Sequence, residues 1–132
     1  MLKAINLKKD FKTNKNTFKI LREINLEVKE GEFISIMGPS GAGKTTLLNI
    51  LSTVDKPTSG TVYYDNQDIS KMNNKQLSKF RRDNIGFIFQ DYNLLDSMSV
   101  EDNMALPLII GNEKQIKIKS EVLRLAKFFG IE

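Results

Sequence analysis

Two residue types with much to say about chemistry are missing from this 132-residue chain: it has no cysteine and no histidine. Without cysteine there are no disulfides and no thiolate metal sites, a usage that fits a cytosolic chain. Without histidine there is no imidazole acid–base chemistry and no His-ligated metal. Long apolar runs are missing too. None approaches the roughly 18–20 residues that span a bilayer, and the longest candidate near the end, Met104 to Ile110, is short and carries Pro107. The opening residues MLKAINLKKD lack the apolar centre of a signal peptide. There are no internal repeats and no low-complexity tracts. What remains is 40% hydrophobic and 27% charged, the balance of a globular chain rather than a disordered one. The net charge of +4 comes from scattered lysines without interleaved aromatics, so a solvated basic surface is expected and no nucleic-acid partner.

The patterning predicts a mixed α/β order. Residues 2–7 and 17–28 read as strands; in the second, Ile24, Leu26 and Val28 alternate with Asn25, Glu27 and Lys29. Phe33-Ile34-Ser35-Ile36-Met37 is a short apolar run, expected to be a buried parallel strand. A helix is expected over 45–51, then a turn at 56–60 and a strand at 61–64. Asn73 is placed to cap a helix reaching about Arg82, and Ile85-Gly86-Phe87-Ile88-Phe89 reads as a second apolar strand. Ser99, with Glu101 and Asp102 behind it, starts another helix, since acidic residues suit a helix N-terminus. The last helix runs from about Glu113 to Phe129, with Ile118, Val122, Leu125 and Phe129 on one face and Gly130 as its stop.

The chemistry lies between the first apolar run and the first helix. Gly38, then Pro39, Ser40, Gly41 and Ala42, then Gly43-Lys44-Thr45 match G-x-x-x-x-G-K-[ST]. Glycines there let the backbone approach phosphates closely, so that successive N–H groups form an anion nest backed by the positive end of a helix dipole. Lys44 supplies a mobile charge for the β- and γ-phosphates and the Thr45 hydroxyl is placed to ligate Mg²⁺. Thr46 follows, where its N–H and hydroxyl reach toward the α-phosphate. Guanine reading by N-K-x-D is excluded, because Asn14-Lys15-Asn16-Thr17 and Asn74-Lys75-Gln76-Leu77 both lack the aspartate. The loop by itself leaves a small-molecule kinase open.

Three stretches go further: EGEFISIMGPSGAGKTTLLNIL (30–51), DKPTSGTVYYD (55–65) and FRRDNIGFIFQDYNLLDSMSVEDNMALPL (80–108). Together they resemble the N-terminal half of an ATP-binding-cassette transporter ATPase. Within that superfamily the GFIFQDYNLLD run is similar to the antimicrobial-peptide and bacitracin export branch, kin to the macrolide-export and lipoprotein-release ATPases. The resemblance implies a P-loop NTPase (RecA-like) core with an N-terminal antiparallel β subdomain and the start of a helical subdomain. It divides the chain into a nucleotide-binding part, 1–90, and a Q-loop and helical part, 91–132. Gln90 falls at the Q-loop glutamine, which joins the Mg²⁺ shell or orients the attacking water. Phe11 falls where the family commonly has a tyrosine stacked on adenine; the phenyl ring keeps the π-face and loses the hydroxyl. Tyr92, Leu94 and Leu95 fall in the segment that faces the membrane permease.

The resemblance also marks what residues 1–132 do not contain: the L-S-G-G-Q-type signature, the second apolar strand ending in Asp-Glu and the γ-phosphate-sensing histidine. A truncated cassette is therefore expected, binding ATP or ADP with Mg²⁺ at Lys44, Thr45 and Gln90 without completing hydrolysis. In the intact protein a second ATPase subunit and a permease are the implied partners, at the inner face of the cell membrane. The alternative is a non-catalytic nucleotide-binding or interaction module. A core lacking half its strands is also expected to leave apolar surface facing water.

Overall fold

Alternation in the first 28 residues becomes a long antiparallel pair. The computed structural model describes residues 1–132; β1 is Leu2–Lys12 and β2 is Thr17–Val28. The first strand runs five residues past the expected 2–7, because Lys9 to Lys12 pair with Leu21 to Thr17. With β3 (Ser59–Tyr64) and β4 (Gln67–Asp68) they make a four-stranded antiparallel sheet in the order β2-β1-β3-β4. The register of β1 against β2 slips three times, and Asn6 and Glu23 at two of the slips have positive φ, 49° and 53°. An extra residue opposite one partner residue bends and twists a ladder in this way. Asp68 caps a single 3-10 turn, Ile69–Lys71, through the Ser70 N–H.

Two helices cover the sheet. The first, α1, is Lys44–Leu51 and the second, α2, is Asn74–Asn84. Asn73 forms a full capping box with Gln76, satisfying two of the N–H groups that a helix start leaves unpaired. The core lies between sheet and helices: Ala4, Leu7, Leu21 and Val62 from the strands meet Leu47, Ile50 and Leu51 of α1 and Leu77 and Phe80 of α2. The Tyr64 and Phe80 rings meet edge to face, 5.0 Å apart, and the Tyr64 hydroxyl donates to the Leu51 carbonyl at 2.7 Å.

The chain forms two units, Met1–Ile85 and Gly86–Glu132. The second contains α3 (Val100–Ile110) and α4 (Gln115–Phe129). Ser99 and Asp102 form a capping box on α3, and Gly130, with φ 66°, ends α4. The helices pack on each other through Ala105 and Val122, with Ile118 and Leu125 half-buried beside Val122. Phe129 corrects the expected apolar face: it is 64% exposed. Phe129 stands in the last turn of α4, about two turns beyond the buried Val122.

Two further expectations are corrected. Neither Phe33–Met37 nor Ile85–Phe89 forms a strand. Phe33, Met37 and Ile88 are exposed, although Ile36 and Ile85 rest against the core. The reason is pairing. A strand exists by hydrogen bonds to a neighbour, and the four strands of this sheet pair only with one another. An apolar run that would be buried on both faces has no ladder to join here. The expectation of apolar surface facing water agrees with these exposures.

Candidate functional site

The segment 38–43 turns tightly into α1. Gly41 and Gly43 take left-handed φ values of 78° and 85°, which a side chain disfavours. The loop closes on itself where the Ala42 N–H donates to the Pro39 carbonyl at 3.2 Å. Gly43 is the N-cap of α1 and offers no side chain, so the first-turn N–H groups of Lys44, Thr45 and Thr46 are left uncapped. Gly38, Pro39, Ser40, Gly41, Ala42 and Thr45 are exposed; Lys44 and Thr46 are half-buried. The Lys44 ammonium reaches back over the start of the loop and donates to the Gly38 and Pro39 carbonyls at 2.8 and 2.7 Å.

What seats this loop is β2. A Cβ on Gly43 would press on Leu21 Cδ2 at 3.0 Å and Ile20 Cγ2 at 3.1 Å, so packing adds to the preference for glycine that its φ sets. Ile20 is itself the extra residue in the slip between the Lys9–Leu21 and Asp10–Lys19 pairs. Two pairs further on, Phe11 stands directly opposite Phe18. At about 3.3 Å per residue, that cross-strand pair lies on the order of 7 Å along β2 from the contact with Gly43. Phe11 is 48% exposed, and the Lys9 ammonium sits over its ring, 5.2 Å from the centroid.

Gln90 belongs to the second unit, exposed at a turn. Tyr92 and Asn93 follow with φ of 59° and 52°, and Tyr92, Leu94 and Leu95 are all exposed. This segment is held by Asn103 of α3, whose side chain accepts from the Leu95 N–H at 2.9 Å and donates to the Leu95 carbonyl at 3.1 Å.

The family model described as ABC transporter matches residues 21–132, most of the chain. The chain belongs to the ABC transporter family. It is similar to the ATP-binding protein MJ0796 of Methanocaldococcus jannaschii, 43% identical over 96% of this chain and 57% of that protein. It is 46% identical to the bacitracin export ATP-binding protein BceA of Halalkalibacterium halodurans, over 99% of this chain and 52% of that one. A methionine import ATP-binding protein, MetN of Francisella tularensis, is 43% identical over 95% of this chain. Among solved structures, the dimeric post-hydrolysis state of the MJ0796 cassette, bound to ADP and Pi, superposes with a TM-score of 0.88 at 42% identity, over 96% of this chain and 56% of that one. This ABC chain thus spans about half the length of the relatives it matches.

The first unit brings the segment 38–43, Lys44, Thr45 and Thr46 together at one helix start, with Phe11 on the sheet that supports it. The arrangement suits a phosphate chain: the first-turn N–H groups of α1 have no side-chain cap, the dipole end is positive, and the Lys44 ammonium lies at the loop. The Thr45 hydroxyl, at the first turn of α1 and exposed, is a donor of the right hard-oxygen type for Mg²⁺. Three neighbours escaped the sequence reading. Asn103 looks like an ordinary mid-helix residue. Lys9 and Asp55 are 46 residues apart and form an ion pair at 2.7 Å. Only the chain reversal through β3 brings them together, and nothing in either local sequence signals it.

Proposed function

We propose that this chain supplies the ATP-binding half of a transporter cassette, the nucleotide's phosphates held by Gly38–Thr46 and its adenine stacked on Phe11. The observation that carries this reading is the uncapped start of α1 behind two left-handed glycines, with the Lys44 ammonium at the loop. Mg²⁺, if bound with the nucleotide, would neutralise phosphate charge; Thr45 would hold it through its hydroxyl and Gln90 through its amide oxygen, while Lys44 would set its charge against the β- and γ-phosphates. Residues 1–90 act as the nucleotide-binding part and 91–132 as the start of the helical part. Residues 1–132 alone bind nucleotide without sustained turnover. Hydrolysis by this stretch at an intact-cassette rate, lost in Lys44→Ala, contradicts that.

In the complete protein the cassette pairs with a second ATPase subunit and a permease, at the inner face of the membrane. Tyr92, Leu94 and Leu95, held out by Asn103, are the surface offered to the permease. No helix is long and apolar enough to cross a membrane, which fits a separate permease. The cargo favoured is an antimicrobial peptide such as bacitracin, supported by similarity to BceA. A methionine import ATP-binding protein is comparably similar to this chain.

Calorimetric titration with ATP, with and without Mg²⁺, tests the site. Lys44→Ala is expected to weaken binding at least tenfold in both conditions, since a charge-assisted contact contributes about 1.5–3 kcal/mol. Thr45→Ala is expected to weaken it mainly when Mg²⁺ is present. Unchanged affinity in both variants removes the site assignment. Cargo is tested separately: cells lacking the protein should become bacitracin-sensitive and be rescued by the wild type but not by Lys44→Ala.

A further inference from the structure

The ion pair beside Phe11 is more than a surface contact. The Lys9 side chain is only 13% exposed, and its ammonium is held from two sides. The Asp55 carboxylate lies at 2.7 Å and the Lys56 carbonyl accepts from it at 2.7 Å. The turn that supplies both partners is itself fastened to β1. The Thr58 N–H donates to the Lys8 carbonyl at 2.8 Å and the Thr58 hydroxyl accepts from the Asp10 N–H at 2.9 Å. A charge pinned in this way cannot swing into solvent as surface lysines do, and it rests over the Phe11 ring at 5.2 Å from the centroid.

We infer that Lys9, clamped by the 55–58 turn, is a positioning residue for the aromatic platform of the nucleotide base. The inference rests on the reading of Phe11 as the adenine-stacking ring. With the cation fixed against the ring, Phe11 is limited to the rotamers that keep this contact, so less side-chain freedom is lost when a base stacks. The cation also draws on the ring's π-electrons, which favours an electron-rich purine on the open side. The lost hydroxyl of the usual tyrosine leaves stacking as the ring's whole contribution, so its orientation carries more weight here.

The test compares ADP with pyrophosphate, ligands that differ by the adenosine, in calorimetric titrations of the protein. Lys9→Met is expected to weaken ADP about three- to tenfold and pyrophosphate less than twofold. Lys9→Arg, which keeps the cation, should restore ADP binding. In a Phe11→Ala background, Lys9→Met should add nothing. Asp55→Asn loosens the same ammonium without altering β1 and serves if Lys9→Met does not fold. Equal weakening of both ligands makes Lys9 merely structural, and no change in ADP affinity overturns the inference, while loss of ADP affinity in Phe11→Ala keeps the stacking reading. Phe11→Ala without effect removes both.

Discussion

Gly60 shows most sharply how a single residue supports the sheet. Its φ is 92°, and a Cβ there would lie 2.5 Å from the Asn6 carbonyl oxygen and 2.7 Å from that of Ile5. Both carbonyls belong to the first register slip of β1, so the slip and the glycine require each other. Gly31 has a similar φ of 77° with nothing within 4 Å. Gly31→Ala is therefore expected to cost about 1 kcal/mol, the left-handed penalty alone. Gly60→Ala should cost about 3 kcal/mol, because backbone must also move. Urea denaturation of the two variants separates the terms, and equal losses would mean that the close approach is not a constraint. At this scale the glycine-rich turn into α1 was legible, since Gly38 to Thr45 are consecutive and Gly41 and Gly43 take the left-handed φ the pattern needs. The Lys9–Asp55 clamp was illegible, because neither residue differs from an ordinary surface charge until the fold pairs them.

Helices were more legible than strands. Asn73 and Ser99 each stand where a cap is expected, and both form capping boxes, because capping is local and depends on residues three apart. The apolar runs at 33–37 and 85–89 misled, because strand formation depends on a neighbour that composition cannot reveal. Between elements, Tyr64 is the tie that holds α1 to the sheet: its hydroxyl takes a carbonyl at the helix C-terminus that would otherwise lack a partner. Tyr64→Phe keeps the ring against Phe80 and is expected to cost about 1 kcal/mol. Burial also raises the Tyr64 pKa above the usual phenol value. Above about pH 10 the unfolded chain therefore releases this proton before the folded one does. Stability contributed by the neutral phenol is present below that pH and falls as pH rises toward the folded pKa. Denaturation curves at rising alkaline pH should show this decline in the wild type and less of it in Tyr64→Phe; parallel declines would show that another group is responsible.

At the scale of the whole molecule, the antiparallel sheet with its two helices closes its own core, whereas the two apolar runs do not. Phe33 is 96% exposed, Met37 87% and Ile88 98%. Burying one such side chain is favourable by about 1.5–3 kcal/mol. Four of them, two from each of two copies, give roughly 6–12 kcal/mol, against an association cost of about 4–15 kcal/mol. The terms are of similar size, so residues 1–132 on their own should self-associate weakly and with concentration rather than form a tight dimer. Static light scattering from micromolar to millimolar protein should show apparent mass rising along the series. The double variant Phe33→Lys and Ile88→Lys should flatten that rise, because a charge on each run makes the same burial unfavourable. Lys44→Ala, on an uninvolved part of the surface, should leave it unchanged. A wild-type mass that stays monomeric across the range would mean that these runs find cover within a single copy. The loop at 38–43 would then rest on a closed core, and Phe33, five residues past the end of β2 and five before Gly38, is where that cover would first be seen.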